Sequence, residues 1–100
     1  MIEELDFKEL FTLMGEFSVK TFPDADSINH LNKLKDEADE AIKEPRDKYE
    51  FADCFLALIA ASYKAGFTPD IILDACQIKL EILKQRKWEK LANGSYQHVK

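Results

Sequence analysis

The sequence predicts an all-α protein, a four-helix bundle, formed as a single domain over residues 1–100. Only three glycines and three prolines occur in 100 residues, so turns are few and the elements between them must be long. Apolar residues make up 46% of the chain, which is enough for a packed core and too many for a disordered chain. Apolar side chains also recur at helical spacing along most of the sequence.

The first predicted helix covers residues 2–19, and Gly15 should weaken its end because glycine is a poor helix former. A polar connector that contains proline follows, since proline breaks a helix. The second helix runs from a cap at Asp26 or Ser27 to about Lys43, with apolar side chains along one stripe.

The third helix spans residues 47–66 and is apolar on almost every side between residues 51 and 61, so we expect it at the centre of the bundle. Thr68 followed by proline is typical of a helix start, and it opens a fourth helix of about twenty residues. From about residue 89 we expect a tail with a turn at residues 93–95.

The composition also excludes several classes of function. A net charge of −5 and a pI of about 5.0 leave no basic face for nucleic acid. The apolar run 55–61 is too short to cross a bilayer, and no basic segment precedes an apolar one as in a signal peptide. We therefore expect no membrane partner. Cys54 and Cys76 lie in apolar stretches, so we expect them to be buried free thiols, which fits a reducing compartment and a cytoplasmic location.

Two pairs of carboxylates carry the chemical signal: Glu37-x-x-Glu40 in the second helix and Glu50-x-x-Asp53 in the third. Residues three apart share one face of a helix. A short loop should make the two helices an antiparallel hairpin, so that the pairs face each other. Four such carboxylates repel unless a cation lies between them, and hard oxygen ligands suit Mg²⁺, with Mn²⁺ as the alternative. The sequence therefore predicts a metal site that handles phosphate.

Each pair has another interpretation. The pair on the second helix also fits a solvated face on which Lys33 and Glu37 form an i,i+4 ion pair. Glu50 also fits a capping box with Asp47 at the start of the third helix. Neither interpretation explains Asp53, because a charge inside an apolar run is costly unless it is paired or bound to a metal.

Basic and aromatic residues supply candidates for binding a substrate. Lys79 and Arg86 are seven residues apart, hence on nearly the same face of the fourth helix, and could hold phosphates; they also fit a basic helix end that complements the helix dipole. His30 and Lys33 lie on the side of the second helix that carries the carboxylates, although a solvated histidine is the alternative for His30. Trp88 fits packing in a core or interface as well as stacking on a base.

Several motifs together resemble a known family. They are H-L-x-K-L-x-x-E-A-x-E from His30, P-x-D-x-x-E-F-A-D from Pro45, A-G at residues 65–66 and K-x-x-x-x-x-x-R-K-W from Lys79, followed by N-G near the C-terminus. The chain resembles the MazG-like all-α nucleoside triphosphate pyrophosphohydrolases, and within them the dATP/dGTP diphosphohydrolases of phages and bacteria. The resemblance covers about residues 17–98.

The resemblance implies an Mg²⁺-dependent enzyme in which water attacks the α-phosphorus of a nucleoside triphosphate and releases a monophosphate and pyrophosphate. The metal ligands and catalytic groups would be Glu37, Glu40, Glu50 and Asp53, one glutamate also orienting or deprotonating the water. The substrate would meet His30, Lys33, Lys79, Leu83, Arg86 and Trp88. The family forms dimers or tetramers with sites shared between subunits, which implies a homo-oligomer here.

Two residues depart from the pattern of this branch. Leu83 stands where an asparagine is usual, and a leucine cannot replace the hydrogen bonds of an amide. Phe17 stands where a tryptophan is usual. We therefore expect hydrolysis of dATP or dGTP, with two alternatives: the same chemistry on dUTP or a damaged nucleotide, or a helical binding or oligomerisation protein without activity.

Overall fold

Four α-helices and a short β-hairpin make up the fold of residues 4–99, the part of the chain that this computed structural model describes. The elements are α1 (Phe7–Thr21), α2 (Ser27–Lys43), α3 (Lys48–Lys64), α4 (Pro69–Gln85), β1 (Trp88–Lys90) and β2 (Tyr96–His98). The four predicted helices are confirmed. Residues 2 and 3 of the first predicted helix lie outside the described part of the chain.

Side-chain caps determine where the helices begin. Asp6 caps α1 in a capping box, so this helix starts at Phe7 instead of the predicted Ile2. Asp26 caps α2 by accepting the backbone N–H of Asn29 at 2.8 Å. Thr68 caps α4 through its hydroxyl, as predicted. Each cap satisfies an N–H group that has no partner inside the helix.

Gly15 does not weaken the end of α1, which continues to Thr21. It lies where α1 crosses α3, and a Cβ at this position would overlap the ring of Tyr63. Phe11, one turn earlier, is 1% exposed and its ring centroid lies 6.3 Å from that of Tyr63. The glycine therefore permits the close approach of two helices around the most deeply buried aromatic side chain.

The helices α2 and α3 form an antiparallel hairpin joined by the four residues 44–47, and theirs is the most extensive contact between helices. Helix α1 also packs against α3, around the small buried residues Ala57, Ala60 and Ala61. Helix α3 thus contacts both neighbouring helices, as expected of a central helix, but one of its faces is not covered in the single chain. Phe51, Phe55 and Leu58 are between 45% and 65% exposed, because no described helix covers that face.

Helix α4 turns away from α3 by 112° and packs against α1, where Lys8 and Asp70 form an ion pair at 2.9 Å. None of its residues is buried. Cys76 is therefore exposed, which corrects the expectation of a buried thiol, while Cys54 is half-buried; both thiols are free.

By length and apolar composition, no single helix of residues 4–99 could cross a membrane. The helices α3 and α4 meet those two criteria only when they are taken together across their bend.

The expected tail folds as an antiparallel hairpin in which Trp88 pairs with His98. Gly94, with φ +90°, lies in the predicted turn. The indole N–H of Trp88 donates to the backbone carbonyl of Leu83 at 3.1 Å, and its ring stands edge-on to that of His98. Strands of three residues are too short for a recognisable alternation of apolar and polar residues, which is why the sequence indicated only the turn.

Candidate active site

Three carboxylates converge on one side of the hairpin between α2 and α3. Glu37, from α2, and Glu50 and Asp53, from α3, each offer an oxygen, and the three oxygens lie within 4.8 Å of one another. Glu37 and Glu50 are half-buried, whereas Asp53 is exposed at the rim. The antiparallel hairpin thus brings Glu37 of the first E-x-x-[E/D] pair to both members of the second, whereas Glu40 lies outside the converging group.

The electrostatics of Glu50 reflect this crowding. Burial raises the pKa of Glu50, and the negative charges of Asp47, Asp53, Glu40 and Glu37 raise it further. Glu40 is thus close enough to act on Glu50, although it is exposed and is not one of the three converging carboxylates. Both acidic pairs therefore share one negative field, which a divalent cation would relieve.

The capping-box interpretation of Glu50 is wrong. Asp47 does cap α3, but it accepts the N–H of Tyr49 at 2.9 Å. The N–H of Asp47 donates to the carbonyl of Glu44 at 3.1 Å, so the side chain of Glu50 does not close the box. Its carboxylate accepts no hydrogen bond from residues 4–99 and is directed to the acidic cluster.

Lys33 and Glu37 form the predicted i,i+4 ion pair, with 3.0 Å between Lys33 Nζ and Glu37 Oε1. The Glu37 side chain is only 14% exposed, so this part of α2 is not an ordinary solvated face. The hydrogen bond to Glu37 and its negative charge raise the pKa of Lys33, and Asp53 contributes to the same effect. An ammonium group therefore lies at the edge of the acidic cluster, paired with Glu37.

A groove of about 420 Å³ adjoins this cluster between α1 and the α2–α3 hairpin. Glu37, Asp53, Lys33 and His30 line it, which brings four of the predicted site residues to one place. The rest of the wall comes from nine residues that the sequence did not single out as site residues: Met14, Phe17, Ser18, Phe22, Ala25, Asn29, Leu56, Ala57 and Ala60. Among these, only Phe17 drew attention in the sequence, as the replacement for a tryptophan.

His30 is buried, with 9% of its surface exposed. Its ring stands edge-on to that of Phe22, with the centroids 6.4 Å apart. The alternative of a solvated histidine is therefore wrong. His30 belongs to the wall of the groove, one turn of α2 before Lys33.

The remaining predicted substrate residues do not reach the groove of their own chain. Lys79, Leu83, Arg86 and Trp88 lie on or just beyond α4 and are absent from the groove lining. The bend between α3 and α4 carries them away from it. Within one chain Trp88 instead joins the hairpin to the end of α4.

The arrangement combines a hard oxygen donor set, one neighbouring cation and a largely apolar groove. Carboxylate oxygens suit a divalent metal ion, the metal and the ammonium group suit phosphates, and the apolar walls suit a nucleoside. Four helices with this site define an all-α nucleoside triphosphate pyrophosphohydrolase of the MazG-like fold.

The comparisons with known proteins agree. The model of the dATP/dGTP pyrophosphohydrolase family matches residues 11–100, and the chain belongs to this family. A solved structure from cyanophage S-2L, a MazG-like pyrophosphohydrolase bound to dGDP and three catalytic Mn²⁺ ions per active site, is similar with a TM-score of 0.80 and 25% identity over 97% of this chain and 100% of that chain. None of the curated proteins matches the sequence.

Proposed function

We propose that the protein hydrolyses dATP and dGTP to the deoxynucleoside monophosphate and pyrophosphate. The observation that carries this proposal is the convergence of Glu37, Glu50 and Asp53 beside a groove large enough for a nucleoside. The name of the family and the dGDP bound by the cyanophage protein favour a purine deoxynucleotide over other substrates.

The residues present fit a divalent metal ion. Glu37, Glu50 and Asp53 would hold it, with Glu40 joining the set, and an oxygen-only donor set favours Mg²⁺, with Mn²⁺ as a substitute. The bound metal would supply Lewis-acid stabilisation of the charge that develops on the phosphate oxygens. The Mn²⁺ ions of the cyanophage protein support a metal in this place.

The protein side chains have separate roles in this proposal. Lys33 would bind a phosphate oxygen from the edge of the cluster. Glu50 or one of the other glutamates in the cluster would orient the water that attacks the α-phosphorus or accept its proton. His30 and Phe17 would form walls around the nucleoside.

A second copy of the chain would complete the site. In one chain α4 has no buried residue, and neither Lys79 on α4 nor Arg86 just beyond it lines the groove. In a homodimer or homotetramer α4 would cover the apolar face of a neighbour, and both basic residues could then reach the phosphates of the neighbour's substrate. Leu83 and Trp88 would lie beside them. We place this activity in the cytoplasm, where nucleotide pools are used.

Incubation with a panel of deoxynucleoside triphosphates and Mg²⁺ tests the proposal. We expect pyrophosphate from dATP and dGTP, and a fall in kcat/KM of at least about 100-fold for Asp53→Ala, since even residues that only support metal ligands cost about 10- to 100-fold. Asp39→Ala is the matched control, because Asp39 is exposed on α2 two residues from Glu37 and hence on the opposite face.

The same panel separates the alternatives. Preferred turnover of dUTP or of an oxidised nucleotide would replace the purine assignment while retaining the site. A folded sample that turns over no nucleotide would contradict the proposal and favour a binding protein. Leu83 is the residue that would suit that outcome, but membership of an enzyme family favours hydrolysis.

A further inference from the structure

Ser18 has an unusual environment in the wall of the groove. It lies on α1, is 2% exposed, and its Oγ has no hydrogen-bond partner among residues 4–99. A buried hydroxyl without a partner is unfavourable, and such groups are rare in folded proteins. Ser18 also lines the groove next to Phe17 and Phe22. A polar atom is thus placed in otherwise apolar surroundings.

Ser62 on α3 shows what a serine in a helix ordinarily does. Its Oγ donates to the carbonyl of Leu58, one turn earlier, at 2.8 Å. The hydroxyl of Ser18 makes no such bond to the preceding turn of α1. The two serines therefore differ in that the buried hydroxyl of Ser18 has no partner among residues 4–99, whereas that of the half-buried Ser62 has one.

The groove has a charged end and an apolar end. Glu37 and Asn29 both line it and are eight residues apart on α2, which corresponds to about 12 Å along the helix axis. The carboxylates and Lys33 mark the end suited to metal and phosphates. A nucleotide whose phosphates lie there must direct its base toward Asn29, Phe22 and Ser18.

We propose that the Ser18 hydroxyl is the hydrogen-bond partner of the polar edge of a purine base. A hydroxyl can donate and accept. It can therefore accept from the six-amino group of adenine and donate to the six-carbonyl oxygen of guanine, so one residue serves both purines. This inference rests on the proposed function, because it takes its orientation from the phosphates at the acidic cluster.

Kinetics of Ser18→Ala with dATP and dGTP test the inference. Loss of one neutral hydrogen bond should lower kcat/KM about 3- to 10-fold for both substrates, mostly through KM, because the bond forms in the ground state and in the transition state alike. Inhibition by inorganic tripolyphosphate, which has no base, should not change. Ser62→Ala is the matched control and should behave as the wild type.

The wild-type protein provides a second measurement that does not depend on the folding of a variant. Purine deoxynucleoside triphosphate with hydrogen at position six should have kcat/KM about 3- to 10-fold below that of dATP, and Ser18→Ala should be insensitive to the difference. If Ser18→Ala lowered kcat/KM equally for dATP, dGTP and the analogue with hydrogen at position six, the role in base recognition would be overturned. Weaker inhibition of Ser18→Ala by tripolyphosphate would overturn it as well. Unchanged kinetics in Ser18→Ala would also overturn it.

Binding without catalysis separates this inference from the proposed function. Titration of the metal-free protein with deoxyadenosine or deoxyguanosine, followed by NMR shifts of groove residues, requires no hydrolysis. We expect Ser18→Ala to weaken both nucleosides about 3- to 10-fold. Binding that weakens in this way in a protein without turnover would retain the base site and reject only the hydrolase; nucleosides that shift no groove residue would reject the base site.

Discussion

At the scale of single residues, Glu50 shows how crowded carboxylates destabilise the metal-free fold and at the same time favour the binding of a cation. Burial and the surrounding negative charges act in the same direction and raise its pKa. In the absence of metal the folded chain therefore favours the protonated carboxyl more than the unfolded chain does. A binding site whose charges repel each other is destabilised until its ligand arrives, which is why such carboxylates couple metal binding to stability.

Glu50→Gln should stabilise the metal-free protein at neutral pH. The pKa of Glu50 is higher in the folded state than in the unfolded state, so the protonated carboxyl favours folding. The stability that Glu50 contributes is therefore complete below the ordinary pKa of 4.5 and is lost as the pH rises through the raised pKa. The difference in Tm between variant and wild type should therefore be positive at pH 7 and shrink below pH 4.5. Thermal melts in chelator measure it, and a variant that is less stable at pH 7 would contradict the sign.

The residues of the site differ in how far the sequence reveals them. Asp53 is visible because a charge within an apolar helical run needs a reason. Glu50 was ambiguous, since the same spacing also fits a capping box, and only the hydrogen bonds of Asp47 decide between the two. Ser18 could not be predicted. A serine in a helix is ordinary, and its lack of a partner depends on packing that brings α1 against the hairpin.

At the scale of elements, local signals predicted the helices well. Pro45 and the caps at Asp26 and Thr68 act within a few residues, so the sequence is sufficient to place these ends. The role of Gly15 was misjudged for the opposite reason. Its importance lies in Tyr63, which is distant in sequence and adjacent in space. Close contact between helices is a tertiary property that helix propensity does not report.

Gly15→Ala should destabilise the protein. Alanine favours a helix over glycine by about 1 kcal/mol, but the added Cβ would overlap the Tyr63 ring at atoms close to its backbone. Overpacking of this kind costs about 1–3 kcal/mol, so we expect a net loss of up to about 2 kcal/mol in the free energy of unfolding by urea. In a Tyr63→Ala background, Gly15→Ala should no longer lower the free energy of unfolding. An equal loss in the wild type and in Tyr63→Ala would show that the two residues are not in contact.

At the scale of the whole molecule, the single chain leaves a large apolar surface without a partner. Ile71, Ile78 and Ile82 of α4 lie at helical spacing and are 38% to 63% exposed. Extensive exposed apolar patches on a small protein commonly mark an interface. The sequence shows that these residues are apolar and periodic, but periodicity cannot say whether a helix packs against its own chain or another.

Ile78→Lys should weaken self-association and activity together. A lysine in an apolar interface is costly, and we expect the dissociation constant of the oligomer to rise at least about tenfold, which corresponds to 1.4 kcal/mol. Analytical ultracentrifugation with activity assays over the same range of concentrations measures both. Gln77→Lys is the control, because Gln77 lies on the polar side of α4 that also carries Asp74 and Glu81. It adds the same charge and should change neither the dissociation constant nor the activity. A monomer with full activity would reject the shared site.

Metal titration of the purified protein tests the central claim most directly, since every proposed role depends on the acidic cluster. By calorimetry with Mg²⁺ or Mn²⁺, the wild type and the control Asp39→Asn should bind with equal affinity. Asp53→Asn should bind at least about tenfold more weakly. Absence of metal binding by the folded wild type, or equal affinity in Asp53→Asn, would contradict the account.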